Sequence, residues 1–307
     1  MSPKKLRVAY GFLGALLLAA CAATNINLPS VTETPTAERF PGKVIWRDLL
    51  THDVQGSQKF YAELFGWEFE AIGSSAGLDS DSVYTLIRHN GNLIGGMIDT
   101  LVLNNRNDIS QWVVLMSVED IDAAVATVKE KGGEVMTPPT NLQQRGMLAV
   151  VRDAEGALLG LLQTRDGDPV DRAPEVNSFL WDELWTTDVD NATAFFEEVA
   201  GLEAASWDID DDQASGATYR LLIAGETPRI GIMPNPLEGL DPVWVSYLRV
   251  DNPAAITARV ADFGGRVIVA ARPRPLGGEV AIIAGPSGAG IALQTWPLNA
   301  NERSNSQ

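Results

Sequence analysis

The chain repeats itself, and this repetition constrains its fold more than any other feature of the sequence. The segment VIWRDLLTHD at 44–53 matches FLWDELWTTD at 179–188, which aligns Trp46 with Trp181. A match held at one spacing over about 50 residues is hard to obtain by chance. The sequence therefore predicts two related halves.

The first match continues downstream. At the same spacing Tyr84 aligns with Tyr219, and after one inserted residue Gly95 aligns with Gly231. These positions fall in predicted strands, so each half is expected to place the same residue types at the same points of a sheet.

A second match joins the later parts of the two halves. WVVLMSVED at 112–120 matches WVSYLRVDN at 244–252. The order of related segments is therefore A-B-A′-B′, and each of the four begins with an apolar strand, an acidic turn and a helix.

Each segment reads as a β-α-β-β-β module. Apolar residues at helical spacing predict four helices, each ended by glycine, at 55–65, 121–131, 191–199 and 253–263. Because one short sheet cannot bury both of its faces alone, the modules are expected to pair. The prediction is an α+β protein of two paired-module domains, at 43–170 (modules 43–100 and 110–166) and 177–297 (modules 177–234 and 242–297).

The first 21 residues read as an export signal. Lys4, Lys5 and Arg7 precede 13 apolar or small residues at 8–20, a run shorter than the roughly 20 residues that cross a bilayer. The run ends in LAAC, which resembles the lipobox of bacterial lipoproteins and implies an acylated Cys21. We therefore expect a lipoprotein of the cell membrane or outer membrane, outside the cytoplasm, held through the lipid on Cys21.

The segments at the two ends of the body have no helical or strand period. Residues 22–42 contain three Pro, four Thr, two Asn and one Ser and are predicted to be a tether, while 298–307 is predicted to be a tail.

Composition excludes several classes of function. The formal charge of −17 disfavours nucleic-acid binding, because it repels phosphate backbones. One cysteine cannot close an internal disulfide, and two histidines cannot build a zinc site unaided.

Three further segments carry a family resemblance. AELFGWEFE at 62–70, VEDIDAAVATVKEKGGEV at 118–135 and RDAEGALLGLLQT at 152–164 resemble the vicinal oxygen chelate superfamily, also called the glyoxalase/bleomycin-resistance/extradiol-dioxygenase fold. The resemblance covers about residues 43–297 and implies the paired-module fold. It leaves the activity open, because the superfamily contains lyases, isomerases, dioxygenases and drug-sequestering proteins.

The resemblance also implies where a metal would be held, on the first and last strands of the modules. The first-strand positions fall at Trp46, Val113, Trp181 and Val245. The last-strand positions fall at Gly160, Ala292, Gly95 or Gly96, and Gly231 or Ile232. None of these side chains ligates a divalent cation, so no metal and no cofactor is predicted.

Two acids are candidate catalytic residues. Asp48 and Glu183 occupy the same place in the repeat, two residues after Trp46 and Trp181, and so share a face with them. A desolvated carboxylate there would have a raised pKa and could act as a general base. The alternative is that both acids lie in water or pair with an arginine, namely Arg47, Arg220 or Arg249.

Aromatic residues on these strands are candidate ligand-binding residues, because a flat face with a polar handle suits a small organic molecule. They are Trp46, Tyr84, Trp181, Tyr219 and Tyr247. The alternative is that they fill the core. His52 and His89 are predicted to lie on the surface, and the run GPSGAG at 285–290 is predicted to be a hairpin turn.

The sequence thus favours a lipid-anchored protein that binds or sequesters a small organic molecule without a catalytic metal. The first alternative is an enzyme, a lyase, isomerase or dioxygenase, with a displaced or metal-independent site. The second is a structural module of the cell envelope whose own side chains fill its cavities.

Overall fold

The structure is a computed structural model that describes residues 28–72, 84–101, 109–205, 219–237, 239–274 and 277–296. The first half contains, in order, β1 (Val44–Thr51), α1 (Val54–Phe65), β2 (Glu68–Ile72), β3 (Tyr84–His89), β4 (Asn92–Asp99), β5 (Gln111–Ser117), α2 (Ile121–Glu130), β6 (Glu134–Asn141), β7 (Gly146–Arg152) and β8 (Leu158–Thr164). The second half contains β9 (Phe179–Thr186), α3 (Val189–Ala200), β10 (Glu203–Ala205), β11 (Arg220–Ala224), β12 (Thr227–Pro234), β13 (Val243–Arg249), α4 (Pro253–Thr257), a 3-10 helix (Val260–Phe263), β14 (Arg266–Pro273), β15 (Glu279–Ala284) and β16 (Gly290–Gln294).

Each half forms one eight-stranded sheet. The strand order is β2-β3-β4-β1-β5-β8-β7-β6 in the first sheet, and the second sheet repeats it as β10-β11-β12-β9-β13-β16-β15-β14. The two modules of a half join where their first strands pair antiparallel, β1 with β5 and β9 with β13. The predicted α+β fold of four βαβββ modules in two paired-module domains is therefore confirmed.

Local sequence sets the ends of the helices. The side chain of Asp53 caps α1 by accepting the Gly56 amide at 2.9 Å, and Gly66 ends it in the left-handed conformation. The predicted helix at 253–263 is different, because α4 stops at Thr257 and a 3-10 helix follows. The β-branched residues Ile256, Thr257 and Val260 weaken the helical preference of this segment.

The helices lie between the two sheets and build cores that both domains share. One core packs α2 against α3, with outward residues of both sheets around them. The other packs α1 against the 3-10 helix and against β13, β15 and β16 of the second sheet. The opposite face of each sheet is free of these helices and carries a separate cluster of side chains.

Aromatic residues fill the second shared core. The Trp67 ring lies 5.0 Å from Tyr61 and 5.5 Å from Phe179 of the other domain, and its indole N–H donates to the Asn177 carbonyl at 2.7 Å. Trp112 packs edge-on against Phe179 at 5.4 Å. Two of the eight tryptophans thus join the domains.

The predicted tether over 22–42 needs correction for residues 28–42, which we call the N-terminal strap. These residues pack on the first domain: Leu28 and Val31 are buried, and Pro35 pairs with Pro169. The amide of Phe40 donates to the buried carboxylate of Asp168 at 2.7 Å. Apolar side chains and this anchor overcome the lack of regular structure, which composition alone did not reveal.

Several predictions fall on other parts of the chain. Residues 1–27, with the export signal and Cys21, lie outside the described residues, as do 297–307 with the predicted tail. No helix among the described residues is long and apolar enough to cross a membrane.

Candidate functional site

The helix-free face of each sheet holds one buried carboxyl group surrounded by hydrogen-bond donors. In the first sheet this first cluster consists of Trp46, Asp48, Tyr84 and Arg145. In the second sheet the second cluster consists of Trp181, Glu183, Tyr219, Tyr247 and Arg274. The repeat places the acids on equivalent strands, β1 and β9, and strand alternation turns both away from the helices.

In the first cluster the carboxylate is buried and accepts two hydrogen bonds. Tyr84 Oη donates to Asp48 Oδ1 at 2.7 Å, and the indole Nε1 of Trp46 donates to the same oxygen at 2.9 Å. Arg145 Nη1 donates to Tyr84 Oη at 2.7 Å, and its guanidinium lies 4.4 Å above the Trp46 ring. The hydroxyl of Tyr84 thus links a buried carboxyl group to a buried guanidinium.

Burial dominates the electrostatics of this cluster. It raises the pKa of the Asp48 carboxyl above its ordinary 3.8, and the nearby Arg145 and the donors Tyr84 and Trp46 only partly oppose that effect. Burial also raises the pKa of Tyr84, with Arg145 opposing it and Asp48 adding to it. Asp48 therefore has the environment expected of a protonatable buried acid.

The second cluster encloses its acid more completely. Arg274 Nη2 donates to Glu183 Oε1 at 2.6 Å and Tyr219 Oη donates to the same oxygen at 3.1 Å, while Tyr247 Oη donates to Oε2. Trp181 Nε1 donates to Tyr219 Oη at 3.2 Å. The carboxylate thus forms a buried ion pair whose arginine partner was not among the predicted ones.

Charge and burial act together on the other groups of this cluster. Burial and the neighbouring Glu183 raise the pKa of both Tyr219 and Tyr247 above the ordinary value, although Arg274 opposes them. Burial works to lower the pKa of Arg274, but Glu183 and the two tyrosines outweigh it and raise that pKa. The tyrosines are therefore neutral hydrogen-bond donors and Arg274 is a permanent cation.

The two clusters differ in how far solvent reaches them. Trp46 and Tyr84 are each only 1% exposed, whereas their repeat equivalents Trp181 and Tyr219 are half-buried. Leu28 and Val31 of the strap cover the first cluster and leave a cavity of about 30 Å³ beside it. In the second sheet the described apolar neighbours come from the strands themselves and from Leu237.

Glycine makes room for each tyrosine hydroxyl. Gly96 lies opposite Asp48 in the pairing of β1 with β4, and Gly231 lies opposite Glu183 in the pairing of β9 with β12. A Cβ at either glycine would overlap the hydroxyl of the tyrosine in its own sheet. Gly231 is thus the equivalent of Gly96, so the inserted residue and the predicted match with Gly95 are wrong.

Sequence reasoning missed the two arginines. Arg145 lies in the connection from β6 to β7, and Arg274 lies in the connection from β14 to β15. The two arginines occupy the same connection in related modules, and each lies close to a glycine. This shared position is the sequence signal that could have identified them. The predicted partners of the acids are used elsewhere: Arg47 pairs with Asp182. Arg220 pairs with Asp190, and Arg249 donates a hydrogen bond to the Pro174 carbonyl.

The structure also shows where the two histidines and the glycine-rich run lie. His52 lies in an exposed turn as predicted, and residues 285–289 form the turn between β15 and β16. The prediction for His89 is wrong, because that residue is 7% exposed and its Nε2 lies 2.9 Å from the Val176 carbonyl oxygen. The chain between the domains covers it, which no local pattern reveals.

A larger cavity of about 490 Å³ lies between the domains and contains little of the predicted site. Five of its charged residues pair with each other: Arg47 with Asp182, and both Lys43 and Arg229 with Asp171. Because these charges are already satisfied, the cavity is a less specific candidate than either cluster.

Known proteins resemble this chain in sequence and in fold. A family model described as the Glyoxalase/Bleomycin resistance protein/Dioxygenase superfamily matches residues 43–161. "Putative glyoxylase CFP32" of Mycobacterium tuberculosis (strain CDC 1551 / Oshkosh) is 32% identical over 244 residues, covering 80% of this chain and 91% of that protein. The chain belongs to this superfamily.

Two further comparisons agree with that membership. "Anthracycline biosynthesis protein DnrV" of Streptomyces peucetius is 28% identical over 267 residues, covering 82% of this chain and 93% of that protein. The crystal structure of the Mn(II)-bound glyoxalase from Novosphingobium aromaticivorans superposes with a TM-score of 0.56 at 17% identity, covering 84% of this chain and 83% of that one. The latter likeness concerns the fold alone.

The metal implied by the superfamily does not fit the residues present. In the first sheet the expected last-strand positions Gly96 and Gly160 lie opposite Asp48 and Leu115, and the expected first-strand positions are Trp46 and Val113, so these positions and their neighbours offer a single carboxylate. That carboxylate already accepts two hydrogen bonds. Among the described residues no three His, Cys, Asp or Glu side chains lie together as a metal site would require.

Proposed function

We propose that this protein is a lipid-anchored member of the superfamily that binds or sequesters a small organic molecule without a catalytic metal. The observation that carries the proposal is the second cluster, in which buried polar groups converge on a half-buried aromatic wall. Apolar walls with a few fixed polar groups are typical of small-molecule sites.

The chemistry of the second cluster suits a flat or amphipathic ligand. Trp181 and Tyr219 offer aromatic faces, and Met233 and Ile282 offer apolar contact nearby. Tyrosine hydroxyls and the guanidinium of Arg274 offer donors to a carbonyl or hydroxyl oxygen. The name of the Streptomyces relative connects that protein with anthracyclines, which are polycyclic aromatic compounds.

The lipid anchor belongs to the same proposal. Cys21 ends an apolar run in a lipobox-like sequence, and the strap begins seven residues later at Leu28. Several acyl chains would hold the body at a membrane, since each buried methylene contributes about 0.8 kcal/mol. Replacement of Cys21 by Ser should move the protein from the membrane fraction to the soluble fraction.

The test of ligand binding is an untargeted mass-spectrometric survey of molecules that co-purify with the full chain. We expect a retained organic molecule that is lost from Tyr219→Phe, because this change removes one hydroxyl and little volume. Tyr84→Phe is the matched control, since it makes the same change at the equivalent position of the first sheet. Retention by Tyr219→Phe, or the absence of any molecule from the wild-type protein, would count against the second cluster.

Metal analysis of the same purified protein tests the other half of the proposal. We expect no near-stoichiometric iron, manganese, nickel or zinc. A tightly held equivalent of any of these metals would refute a metal-free site.

A second candidate function is a metal-independent enzyme that uses Asp48 as general base. The raised pKa of this buried acid favours it, because a general base works best when its pKa lies near the working pH. Turnover of a candidate substrate should then disappear in the variant Asp48→Asn with Glu183→Gln. Activity that survives both changes would exclude the two acids.

A further inference from the structure

The strap covers the first cluster with a backbone carbonyl as well as with side chains. Leu28 and Val31 are each 2% exposed and pack in the cluster that contains Trp46 and Tyr84. Between them, the carbonyl oxygen of Pro29 accepts a hydrogen bond from Arg145 Nε at 3.1 Å. A segment of the chain therefore occupies the place that a small molecule would take.

Arg145 uses only part of its donor capacity. The residue is 1% exposed, its Nη1 donates to Tyr84, and its Nη2 has no hydrogen-bond partner among the described residues. A buried unpaired donor on a cation is costly and uncommon. The remaining cavity of about 30 Å³ adjoins this guanidinium and holds at most a molecule of water size.

The free edge of Arg145 has a definite chemistry. Nε and Nη2 point the same way and form a planar fork that matches the two oxygens of a carboxylate. The same protein shows that geometry elsewhere, where Nε and Nη2 of Arg47 donate to the two carboxylate oxygens of Asp182. A single carbonyl oxygen from Pro29 satisfies only half of such a fork.

We propose that the first cluster is a binding site for a small carboxylate with an apolar body, and that the strap occupies this site until such a ligand displaces it. The carboxylate would bond both Nε and Nη2 of Arg145 and replace the Pro29 carbonyl. Its body would lie against the apolar side chains that line the same cavity as Leu28, which include Leu142 and Leu148. This site is separate from the second cluster and does not depend on the function proposed for it.

The charged neighbourhood is compatible with such a ligand. Asp48 is the acid in this cavity, and its Oδ1 faces the donors of Tyr84 and Trp46. The fork lies on the edge of Arg145 opposite to the one that donates to Tyr84. The Tyr84 hydroxyl links the resident carboxylate of Asp48 to Nη1 of Arg145, an atom that the fork does not use.

The backbone hydrogen bonds that hold the strap are concentrated at its downstream end. Its downstream part is held firmly, because Asp168 accepts from Phe40 and its amide donates to the Glu38 carbonyl at 2.7 Å. Upstream, the described contacts with the body are the packing of Leu28 and Val31, the Pro29 carbonyl bond, an exposed ion pair of Glu33 with Arg88 and a 3.4 Å contact of Thr34. Displacement therefore needs to move residues 28–34 and leaves the anchor in place.

The test measures binding of benzoate to the full chain in detergent by isothermal titration calorimetry, with benzamide as the uncharged isostere. Replacement of both Leu28 and Val31 by Ala weakens the strap, and we expect the dissociation constant for benzoate to fall at least about tenfold, because the open state becomes more populated. Arg145→Gln should abolish benzoate binding, and Arg145→Lys should weaken it because lysine lacks the fork. Benzamide should not bind measurably to any of these proteins.

Arg165→Gln is the matched control, because it removes an exposed arginine of the same domain that pairs with Asp166 on the surface, and it should leave benzoate binding unchanged. Equal benzoate binding by the wild type and Arg145→Gln would overturn the proposal, and so would an affinity that the strap variant does not raise. Loss of benzoate binding in Arg274→Gln alone would assign the ligand to the second cluster instead.

A second measurement on the wild-type chain avoids variants that fail to fold. A glutamate-specific protease can cut after Glu33 in the upstream part of the strap and after Glu38 in the anchored part. Benzoate should speed cleavage at Glu33 relative to Glu38, and benzamide should not. An unchanged ratio at saturating benzoate would overturn the displacement of the strap.

Discussion

At the scale of single residues, the desolvation of a buried acid is offset in two different ways. Glu183 is paired directly with Arg274 at 2.6 Å, so charge neutralises charge. Asp48 instead meets Arg145 through the hydroxyl of Tyr84, and its burial outweighs the help it receives. The same repeat position therefore holds a firmly paired carboxylate in one domain and a protonatable one in the other.

The raised pKa of Asp48 predicts a pH-dependent stability. Between the ordinary value of 3.8 and the raised value, the folded state holds a proton that the unfolded state has lost, so stability falls as pH rises by about 1.4 kcal/mol per pH unit. Asp48→Asn has no proton to lose. Its free energy of unfolding relative to wild type should therefore increase with pH through this window and become constant above it.

Urea unfolding of both proteins at a series of pH values above about pH 4 measures this difference. A difference that does not change with pH would show that Asp48 titrates alike in the folded and unfolded chains.

At the scale of elements, β4 and β12 are shaped by one glycine each. Gly96 and Gly231 face the acids across parallel strand pairs, and the missing side chain leaves space for the hydroxyl of Tyr84 or Tyr219. The superfamily resemblance places a metal-binding carboxylate near these positions. The same space that would hold a ligating side chain thus holds a tyrosine hydroxyl here.

Gly96→Ala and Gly231→Ala should each destabilise the protein by about 1–3 kcal/mol, because the new methyl group would push a tyrosine hydroxyl away from its acid. Gly290→Ala is the control, since a Cβ there would meet Ile268 at an ordinary 3.9 Å in another strand of the same fold. Denaturant unfolding gives the three values. Equal losses in all three variants would mean that strand glycines in general, rather than these two sites, cause the effect.

At the scale of the whole molecule, the two domains are joined by shared cores rather than by a flexible link. Helix α1 packs on the second sheet, α2 packs on α3, and Lys131 pairs with Glu198 across the same boundary at 3.0 Å. Such an interface behaves like the inside of one domain. The two halves should therefore unfold together.

Trp67→Ala should cost about 3–5 kcal/mol and lower the stability of both domains, because this buried ring contacts Phe179 of the second domain. Native-state hydrogen exchange should show the amides of β13 losing as much protection as those of β5. Val114→Ala is a smaller change in the other shared core and should act on both domains in the same way. Loss of protection confined to the first domain would show that the halves unfold separately.

The sequence by itself determined the modules, their order and the equivalence of Asp48 with Glu183. Those features depend on periodicity and repetition, which act over short distances along the chain. Local pattern was insufficient at two places. The helix predicted over 253–263 ends at Thr257, and the position equivalent to Gly231 is Gly96. The second difference arises because hydrogen bonding between strands decides register.

Only the tertiary structure decided which arginines meet the acids, that the strap covers one cluster, and that His89 is buried. Arg145 is 97 residues away from Asp48 in the chain, and Leu28 is 56 residues away from Tyr84. Contacts over such separations depend on how sheets and connections pack, and no local preference of the residues records them. The physical reason is that the repeat determines the local structure of each module, whereas packing between distant segments, inside and outside the repeat, decides which side chains meet.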